Sequence, residues 1–229
     1  MIHVQEIARS SARMAELITA ENSDAKVPSC PEWNLFDLVA HIGEVQGFWA
    51  NCIREGNADA PWPGEIKKPD SPQESGTWLR AQTRLLIDAI ESTPDESPCW
   101  TWWGDPLTAL AVARHQVQEA EVHRWDAELA IATPSPIPAE IAIDGIPEFL
   151  HVHRESIQKL KLPHIHLSAT DSIGNWHVNE GEADTVALSG NASDLVLFLF
   201  GRCSIDKLSV AGKPDRVNAL VEALPEINY

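Results

Sequence analysis

The sequence predicts a two-domain α+β protein, in which an N-terminal antiparallel four-helix bundle is followed by a small α+β domain. Apolar residues recur at the helical spacing of three and four through most of the first 130 residues. Three prolines fall in the six residues that begin with Thr133, a composition typical of a linker. Beyond it, apolar and polar residues alternate over residues 165–170 with the period of a half-buried strand. The predicted domains are therefore residues 1–133 and 134–229.

The first two helices are placed by periodicity and by capping residues. Apolar side chains at helical spacing predict a first helix over residues 3–20. Asn34, with Asp37 three residues further on, has the pattern of a capping box, which marks a helix start. An apolar stripe continues from this cap and predicts a second helix that ends near Arg54.

The third and fourth helices follow a long connection. Six glycines and prolines between residues 56 and 74 are too many for a regular element and predict a surface loop. Helical spacing returns over residues 75–92, which predicts the third helix. Asp105 is a good N-cap and Pro106 suits a first helical position, so the fourth helix is predicted from there to Ala130. Short and medium connections between four helices favour an antiparallel bundle.

The second domain is predicted to mix helices and strands. One helix is expected to begin at a cap near Asp144, and a terminal helix at Pro214. The segment NASDLVLFLFG fits either a buried strand or a helix, and Asn191 with Asp194 favours the capped helix. The strand candidates are residues 164–170, residues 176–178, VALSG at 186–190 and KLSVAG at 207–212.

Composition limits the partners of the chain. The 34 acidic against 17 basic residues give a formal charge of −17, which repels phosphate backbones and anionic lipid surfaces. The longest apolar run, Leu195 to Phe200, is too short to span a bilayer, and no signal-peptide pattern opens the chain. We therefore expect a soluble cytoplasmic protein with no nucleic-acid or membrane partner.

Four cysteines are scattered without the CxxC spacing of zinc knuckles. In a chain expected to lie in the cytoplasm they are predicted to be reduced thiols, buried as small hydrophobic side chains. None lies at a sequence spacing that places it beside the metal-binding residues described next. The four are Cys30, Cys52, Cys99 and Cys203.

One pair of residues on the fourth helix has metal-ligand spacing. Glu119 and His123 are four residues apart, so both side chains project from the same helical face. Such a pair is more often a solvated face than a metal site, and the metal interpretation needs a ligand from another helix. His41 lies on or beside the apolar stripe of the second helix, where a lone histidine is commonly a hydrogen-bonded core residue. Facing helices about 8–10 Å apart would bring it to the pair.

Several segments resemble the mycothiol-dependent maleylpyruvate isomerase family. They are VPSCPEWNLFDLVAHIGEV, QEAEVHRWDAE, and the series IAIDGIPEFL, HLSATDSIGNWHV and SDLVLFLFGR. The resemblance implies a DinB-like metal-binding bundle followed by a domain of sterol-carrier type, with His41, Glu119 and His123 as the metal ligands. Members commonly have histidine before the ligand glutamate, whereas this chain has Gln118, which leaves the ligands intact and alters their surroundings.

The resemblance also implies an activity. Two imidazoles and one carboxylate leave an open position on a divalent metal, with zinc favoured over calcium or magnesium and not separable from nickel or iron by ligand type. Mycothiol would coordinate there as a thiolate, add to maleylpyruvate and leave after bond rotation, which gives fumarylpyruvate. The family uses an arginine of its C-terminal domain in catalysis, and Arg202 matches it best. A solvated arginine at a helix end is an equal interpretation of Arg202.

Alternatives remain open at the level of sequence. A mycothiol S-transferase would use the same metal and thiol but retain the adduct, and a non-catalytic metal- or lipid-binding module would need no turnover. Trp125 and Asp126 are predicted to pack against the ligands or hydrogen-bond them, and not to bind the metal. The thiol is expected to come from solution. The tryptophan-rich loops and Arg202 are expected to shape the pocket, and the motifs fix neither the substrate nor the oligomeric state.

Overall fold

The computed structural model describes residues 2–160, 162–179 and 185–227. Within these ranges the chain forms eight α-helices and one four-stranded sheet. It divides into two compact units, Met1–Ser135 and Pro136–Tyr229. No helix among the described residues combines the length and the apolar composition that crossing a membrane requires.

The first unit is a bundle of four helices. Helix α1 packs against α3 and α4, and α2 packs against the same two helices, so each helix has two lateral neighbours. Fully buried side chains that include Met14, Leu38 and Leu79 fill the space between them. The helices are α1 (Ile2–Leu17), α2 (Leu35–Glu55), α3 (Pro72–Ser92) and α4 (Ala109–Ile131).

The predicted capping box of α2 is confirmed. The Asn34 side chain accepts a hydrogen bond from the Asp37 N–H at 2.9 Å, and the Asn34 N–H donates to the Asp37 carboxylate at 3.0 Å. The predicted end of α1 is three residues too late. The Asn22 side chain bonds the Leu17 carbonyl and the Thr19 N–H, and so turns the chain out of the helix.

The predicted start of α4 is also wrong. The helix begins at Ala109, and Thr108 is its N-cap, because the Thr108 hydroxyl accepts from the Ala111 N–H at 3.2 Å. The preceding residues pair with another part of the loop, since the Cys99 N–H donates to the Leu107 carbonyl at 2.9 Å. This extended pairing prevents a helical turn at Asp105.

The second unit joins helices to a four-stranded sheet in the order β2-β1-β3-β4. Strands β1 and β3 pair in parallel, and the other two pairings are antiparallel. All four predicted strands are confirmed, as are the capped helix after Asn191 and the terminal helix from Pro214. The elements are α5 (Ala139–Val152), α6 (Arg154–Lys159), β1 (His164–Ala169), β2 (Asn175–Val178), β3 (Thr185–Gly190), α7 (Ala192–Leu199), β4 (Ser209–Ala211) and α8 (Pro214–Ile227).

The helix predicted to begin near Asp144 begins five residues earlier. Asp144 lies inside α5, and the Pro138 carbonyl accepts the N–H groups of Ile141 and Ala142 in its first turn. Ile141 and Ala142 are buried, so the apolar stripe extends one turn upstream of the predicted cap.

Candidate metal centre

The loop before α2 is folded tightly against the bundle. Lys26 and Asn34 form an isolated β-bridge, and the N–H groups of Cys30 and Trp33 donate to the carbonyls of Val27 and Cys30. These bonds and the capping box fix the loop at the start of α2. The loop thereby presents side chains to residues near the C-terminal half of α4.

Three side chains from α2 and α4 converge at one point. The Nε2 atom of His41 lies 3.1 Å from the Glu119 Oε1 atom, and the Nε2 atom of His123 lies 3.6 Å from the same oxygen. One ligand atom from each residue lies within 4.8 Å of the other two. Ligand atoms about 3.3 Å apart are expected around a tetrahedral metal with bonds of about 2.0–2.1 Å. Both the spacing and the donor types therefore fit a divalent metal ion.

The charge of Glu119 is set by its neighbours. Burial opposes ionisation, but the hydrogen bond with His41 and electrostatic interactions with His123, His41 and His115 lower the pKa of Glu119 well below its usual value. Glu119 is therefore anionic at neutral pH. The side chains of His41 and Glu119 keep exposed fractions of 29% and 22%, so neither is sealed in the core.

The ring of His123 is held from its other side. Its Nδ1 atom lies 2.8 Å from the Asp126 carboxylate, which is fully buried and also accepts a hydrogen bond from Ser29. This contact confirms that Asp126 hydrogen-bonds an imidazole, as predicted from the sequence. A proton held at Nδ1 leaves the Nε2 lone pair of His123 directed toward Glu119.

Trp33 covers the two histidines, which the sequence did not predict. Its ring centroid lies 4.7 Å from that of His41 and 6.1 Å from that of His123. The position of Trp33 immediately before the Asn34 cap could have indicated this contact, because the cap fixes how the chain enters α2.

Cys30 corrects a sequence expectation. Its sulfur lies within 4.8 Å of one ligand atom of His123 and one of Asp126, so a protein thiol lies beside the candidate centre. It is also half-buried and not fully buried. Sequence spacing could not reveal this, because the contact joins residues more than 90 positions apart through the fold of the loop.

The other cysteines behave as expected of unreactive thiols. None of the four cysteines, all among the described residues, forms a disulfide, and burial raises the pKa of Cys99 to about 12 and that of Cys203 to about 11. Burial also raises the pKa of Cys52. Cys203 is half-buried, which differs from the predicted full burial.

A second polar feature of α4 lies one turn before Glu119. Gln116 is fully buried, and no other described residue forms a hydrogen bond with either end of its amide. Residues three apart on a helix are neighbours on its surface, so Gln116 lies on the stripe that carries the ligands. A buried amide without a partner is destabilising, which makes Gln116 a candidate contact for a bound molecule.

Tryptophans gather further along the same helices. The rings of Trp49 and Trp100 stack with centroids 5.9 Å apart, and Trp103 packs 5.8 Å from Trp49. Trp103 also lies 4.6 Å from His115, which is one turn before Glu119 on α4. The tryptophan-rich loops therefore form an aromatic cluster in the first unit.

Arg202 lies at the end of α7 in the second unit. Gly201 has a φ of 71°, which lets the chain leave the helix in the left-handed conformation, and the Arg202 guanidinium donates to the Phe200 carbonyl at 2.7 Å. This local contact agrees with the helix-end interpretation. The catalytic assignment of Arg202 stays a prediction.

The N-terminal part of the chain matches a known protein family. The model of the family described as "Mycothiol maleylpyruvate isomerase N-terminal domain" matches residues 4–128, more than half of the chain. The chain belongs to this family. The family match includes α2, α3 and nearly all of α1 and α4, and with them His41, Glu119 and His123.

Solved structures share the fold. A crystal structure of the mycothiol-dependent maleylpyruvate isomerase has a TM-score of 0.67, and one of a histidine-to-alanine mutant of it has a TM-score of 0.69. Each is 17% identical in sequence, and the likeness covers 92% of this chain and 90% of the other. No curated protein matches the chain.

Proposed function

We propose that this chain is a metal- and mycothiol-dependent isomerase that acts on maleylpyruvate or a similar electrophilic cis-alkene. One observation carries the proposal: ligand atoms of His41, Glu119 and His123 converge, while the side chains of His41 and Glu119 stay partly exposed to solvent. Three ligands and an open side are typical of catalytic metal sites, whereas structural zinc sites are closed by four protein ligands. Zinc is the first expectation, and nickel and iron suit the same donors.

Each side chain has a separate part in the proposed site. Asp126 keeps the proton of His123 at Nδ1 and so directs Nε2 to the centre. Glu119 contributes negative charge, and Trp33 shields one side of both imidazoles from water. A divalent ion bound by these residues would supply Lewis acidity, which removes the proton from a coordinating thiol at neutral pH.

The proposed reaction is a reversible addition. The mycothiol sulfur forms a bond to one alkene carbon, and the π electrons move onto the conjugated carbonyl oxygen. The former carbon–carbon double bond is now a single bond and can rotate. The electron pair then returns from the oxygen, the double bond forms again and the same thiolate leaves. The trans product forms and the thiol is regenerated, so no oxidant or reductant is consumed.

The test follows cis-to-trans conversion of maleylpyruvate by metal-loaded protein with and without mycothiol. We expect turnover only with added mycothiol, and we expect His123→Ala to lose one equivalent of bound metal and at least a hundredfold in turnover. His151→Ala is the matched control, because His151 is an exposed histidine on α5 in the other unit. Thiol-independent turnover, or a His123→Ala protein that binds as many equivalents of metal as wild type, would overturn the proposal.

The same assay separates the S-transferase alternative. A transferase would consume mycothiol and accumulate the adduct, whereas the isomerase returns the thiol after every turnover. Mass spectrometry of the reaction mixture measures the adduct directly. Thiol-dependent conjugation without cis-to-trans conversion would establish the transferase.

A second candidate function, binding of an apolar ligand, is favoured by a recess in the second unit. The cavity in this recess is about 20 Å³, so a lipid-sized ligand would have to displace its walls. Native mass spectrometry after mild purification would detect a carried lipid. Its walls are apolar side chains from the helices and the sheet, among them Phe149, Ile157, Leu167, Phe198 and Leu224.

A further inference from the structure

We propose that the sheet of the second unit carries a separate site for a divalent transition-metal ion, with His164 and His177 as its ligands. Both residues belong to the unit Pro136–Tyr229, so the site does not depend on the function proposed for the first unit. Imidazole nitrogen is a ligand that zinc, copper and nickel all accept.

Three histidines share one face of the sheet. Successive side chains of a strand point to opposite faces, which places His164 and His166 together on β1. The antiparallel register sets His166 opposite His177 on β2. Ile165 and Leu167 point the other way and are 4% and 1% exposed, so the core lies on that side. The imidazoles therefore lie on the face away from the core, and His177 is exposed to ions in solution.

The two proposed ligand atoms are already spaced for one ion. The Nε2 atom of His164 lies 3.2 Å from the Nδ1 atom of His177. Two nitrogens that each bind a tetrahedral zinc at about 2.0–2.1 Å are about 3.3 Å apart. The two rings have centroids 5.4 Å apart and an interplanar angle of 26°, so the rings must turn for both lone pairs to point at one ion, while the N–N distance already suits it.

The structure also fixes the orientation of the His164 ring. Thr185 pairs with His164 across β1 and β3, and its hydroxyl oxygen lies 3.2 Å from the His164 Nδ1 atom. An Nδ1–H donated to this hydroxyl leaves the Nε2 lone pair for the metal. Histidine ligands are commonly supported by such a bond from the second ring nitrogen.

His166 supports the second ligand. Its ring lies parallel to that of His177, with an interplanar angle of 3° and centroids 4.6 Å apart. Stacking restricts the ring of His177 and lowers the entropy lost when a metal binds. His166 is a positioning residue and not a ligand in this proposal.

Charge favours a cation at this face. The chain has a formal charge of −17, which raises the local concentration of divalent cations. The 3.2 Å contact also fits two neutral imidazoles that share one N–H···N hydrogen bond without a metal. The experiment must therefore distinguish a metal site from a histidine pair.

The test is a Zn²⁺ titration of the full-length His123→Ala protein, in which the candidate centre of the first unit is disabled. Calorimetry is expected to find a binding event that His164→Gln and His177→Gln each weaken at least tenfold. His151→Gln, at the exposed histidine of α5, should bind Zn²⁺ unchanged. Circular dichroism of each variant checks that the fold is retained.

A second measurement needs no substitution in the sheet. Imidazole NMR signals of His164 and His177 should shift with added Zn²⁺ in step with the calorimetric binding event, while that of His151 stays in place. The proposal is wrong if these signals do not move, or if either sheet variant binds Zn²⁺ within twofold of the parent. Retention of metal at the first centre would challenge the proposed function alone, because the NMR signals report each site separately.

Discussion

Asp126 joins the candidate metal centre to the loop before α2. It is fully buried, its carboxylate lies 2.8 Å from His123, and it accepts a hydrogen bond from Ser29. A buried carboxylate that lost these partners would be costly, which ties the loop and the ligand together. The orientation of His123 therefore depends on a residue outside the proposed ligand set.

Asp126→Asn should weaken metal binding without abolishing it. The amide oxygen can still accept the imidazole proton, but the negative charge that strengthens the ligand is lost, and such changes lower metal affinity about 10–100-fold. Competition with a chelator measures the dissociation constant. Asp88→Asn, at a carboxylate of α3 whose side chain is 45% exposed, is the control and should match wild type. Complete loss of metal from folded Asp126→Asn protein would make Asp126 a ligand and contradict the assignment.

Cys30 raises the question of which thiol reacts. It lies beside His123 and Asp126, so it could compete with mycothiol for the open side of the centre. We predict that Cys30→Ser keeps mycothiol-dependent turnover within about fivefold of wild type, because the proposed nucleophile comes from solution. Steady-state rates at saturating mycothiol measure this. Cys203→Ser in the second unit is the control, and a Cys30→Ser protein that binds metal but has no turnover would make Cys30 the reacting thiol.

Helix α4 carries the proposed metal ligands on one face and a buried ionic network on another. One face carries Glu119 and His123. The other buries Arg124, which is 1% exposed, between the carboxylates of Glu121 and Glu128 at 3.0 Å and 2.7 Å. Buried charges of this kind hold a helix in register, because removing one partner leaves another charge uncompensated. The position of the ligands thus depends on an ionic network on the opposite face.

Glu128→Gln should destabilise the protein in a pH-dependent way. Burial raises the pKa of Glu128, but hydrogen bonds from Ser135 and Arg13 and the charge of Arg124 outweigh it and lower the pKa below its usual value. A lowered pKa stabilises the fold above the unfolded-state pKa of about 4.3, and this contribution is lost as the pH falls through the folded-state pKa.

We expect Glu128→Gln to lower the free energy of unfolding by about 1–3 kcal/mol at pH 7, and the difference should shrink below about pH 4. Urea denaturation at several pH values measures it. Glu91→Gln, at an exposed residue of α3, should show no such trend. If the difference in free energy of unfolding between wild type and Glu128→Gln grew as the pH fell, the predicted direction of the pH dependence would be wrong.

Local signals explain which elements could be predicted. Asn34 and Asp37 satisfy each other within four residues, so their box could be found from sequence alone. Asp105 looks equally suitable as a cap, but pairing between distant parts of the loop leaves the role to Thr108. Helix starts are predictable when the cap is self-contained and not when tertiary pairing chooses among candidates.

The candidate site follows the same rule. Glu119 and His123 are related by helical spacing, which sequence shows directly. The meeting with His41 was expected from the resemblance and the bundle, and the structure brings the three together. Cys30 and Trp33 were missed as neighbours, because their contacts depend on a loop whose β-bridge has no sequence signature.

The whole molecule shares its fold with solved structures at 17% sequence identity, and a shared fold does not determine the substrate. The formal charge of −17 is unfavourable for a dianion such as maleylpyruvate, so an anionic substrate needs a local cation. Guanidinium binds carboxylate in a bidentate fork, which makes an arginine the expected partner. Arg202 is the residue that we propose for this part.

Arg202→Ala tests whether the second unit takes part in catalysis. If Arg202 binds a substrate carboxylate, the variant should retain its metal and its affinity for mycothiol, while kcat/KM for maleylpyruvate falls about 10²–10³-fold, as when a charge-stabilising donor is removed. Arg202→Lys should recover only part of this loss, because an ammonium cannot make the bidentate contact. Arg216→Ala, at an exposed arginine of α8, controls for the loss of one positive charge. An Arg202→Ala enzyme as active as Arg216→Ala would contradict the catalytic role and leave Arg202 as a helix-end residue that donates to the Phe200 carbonyl.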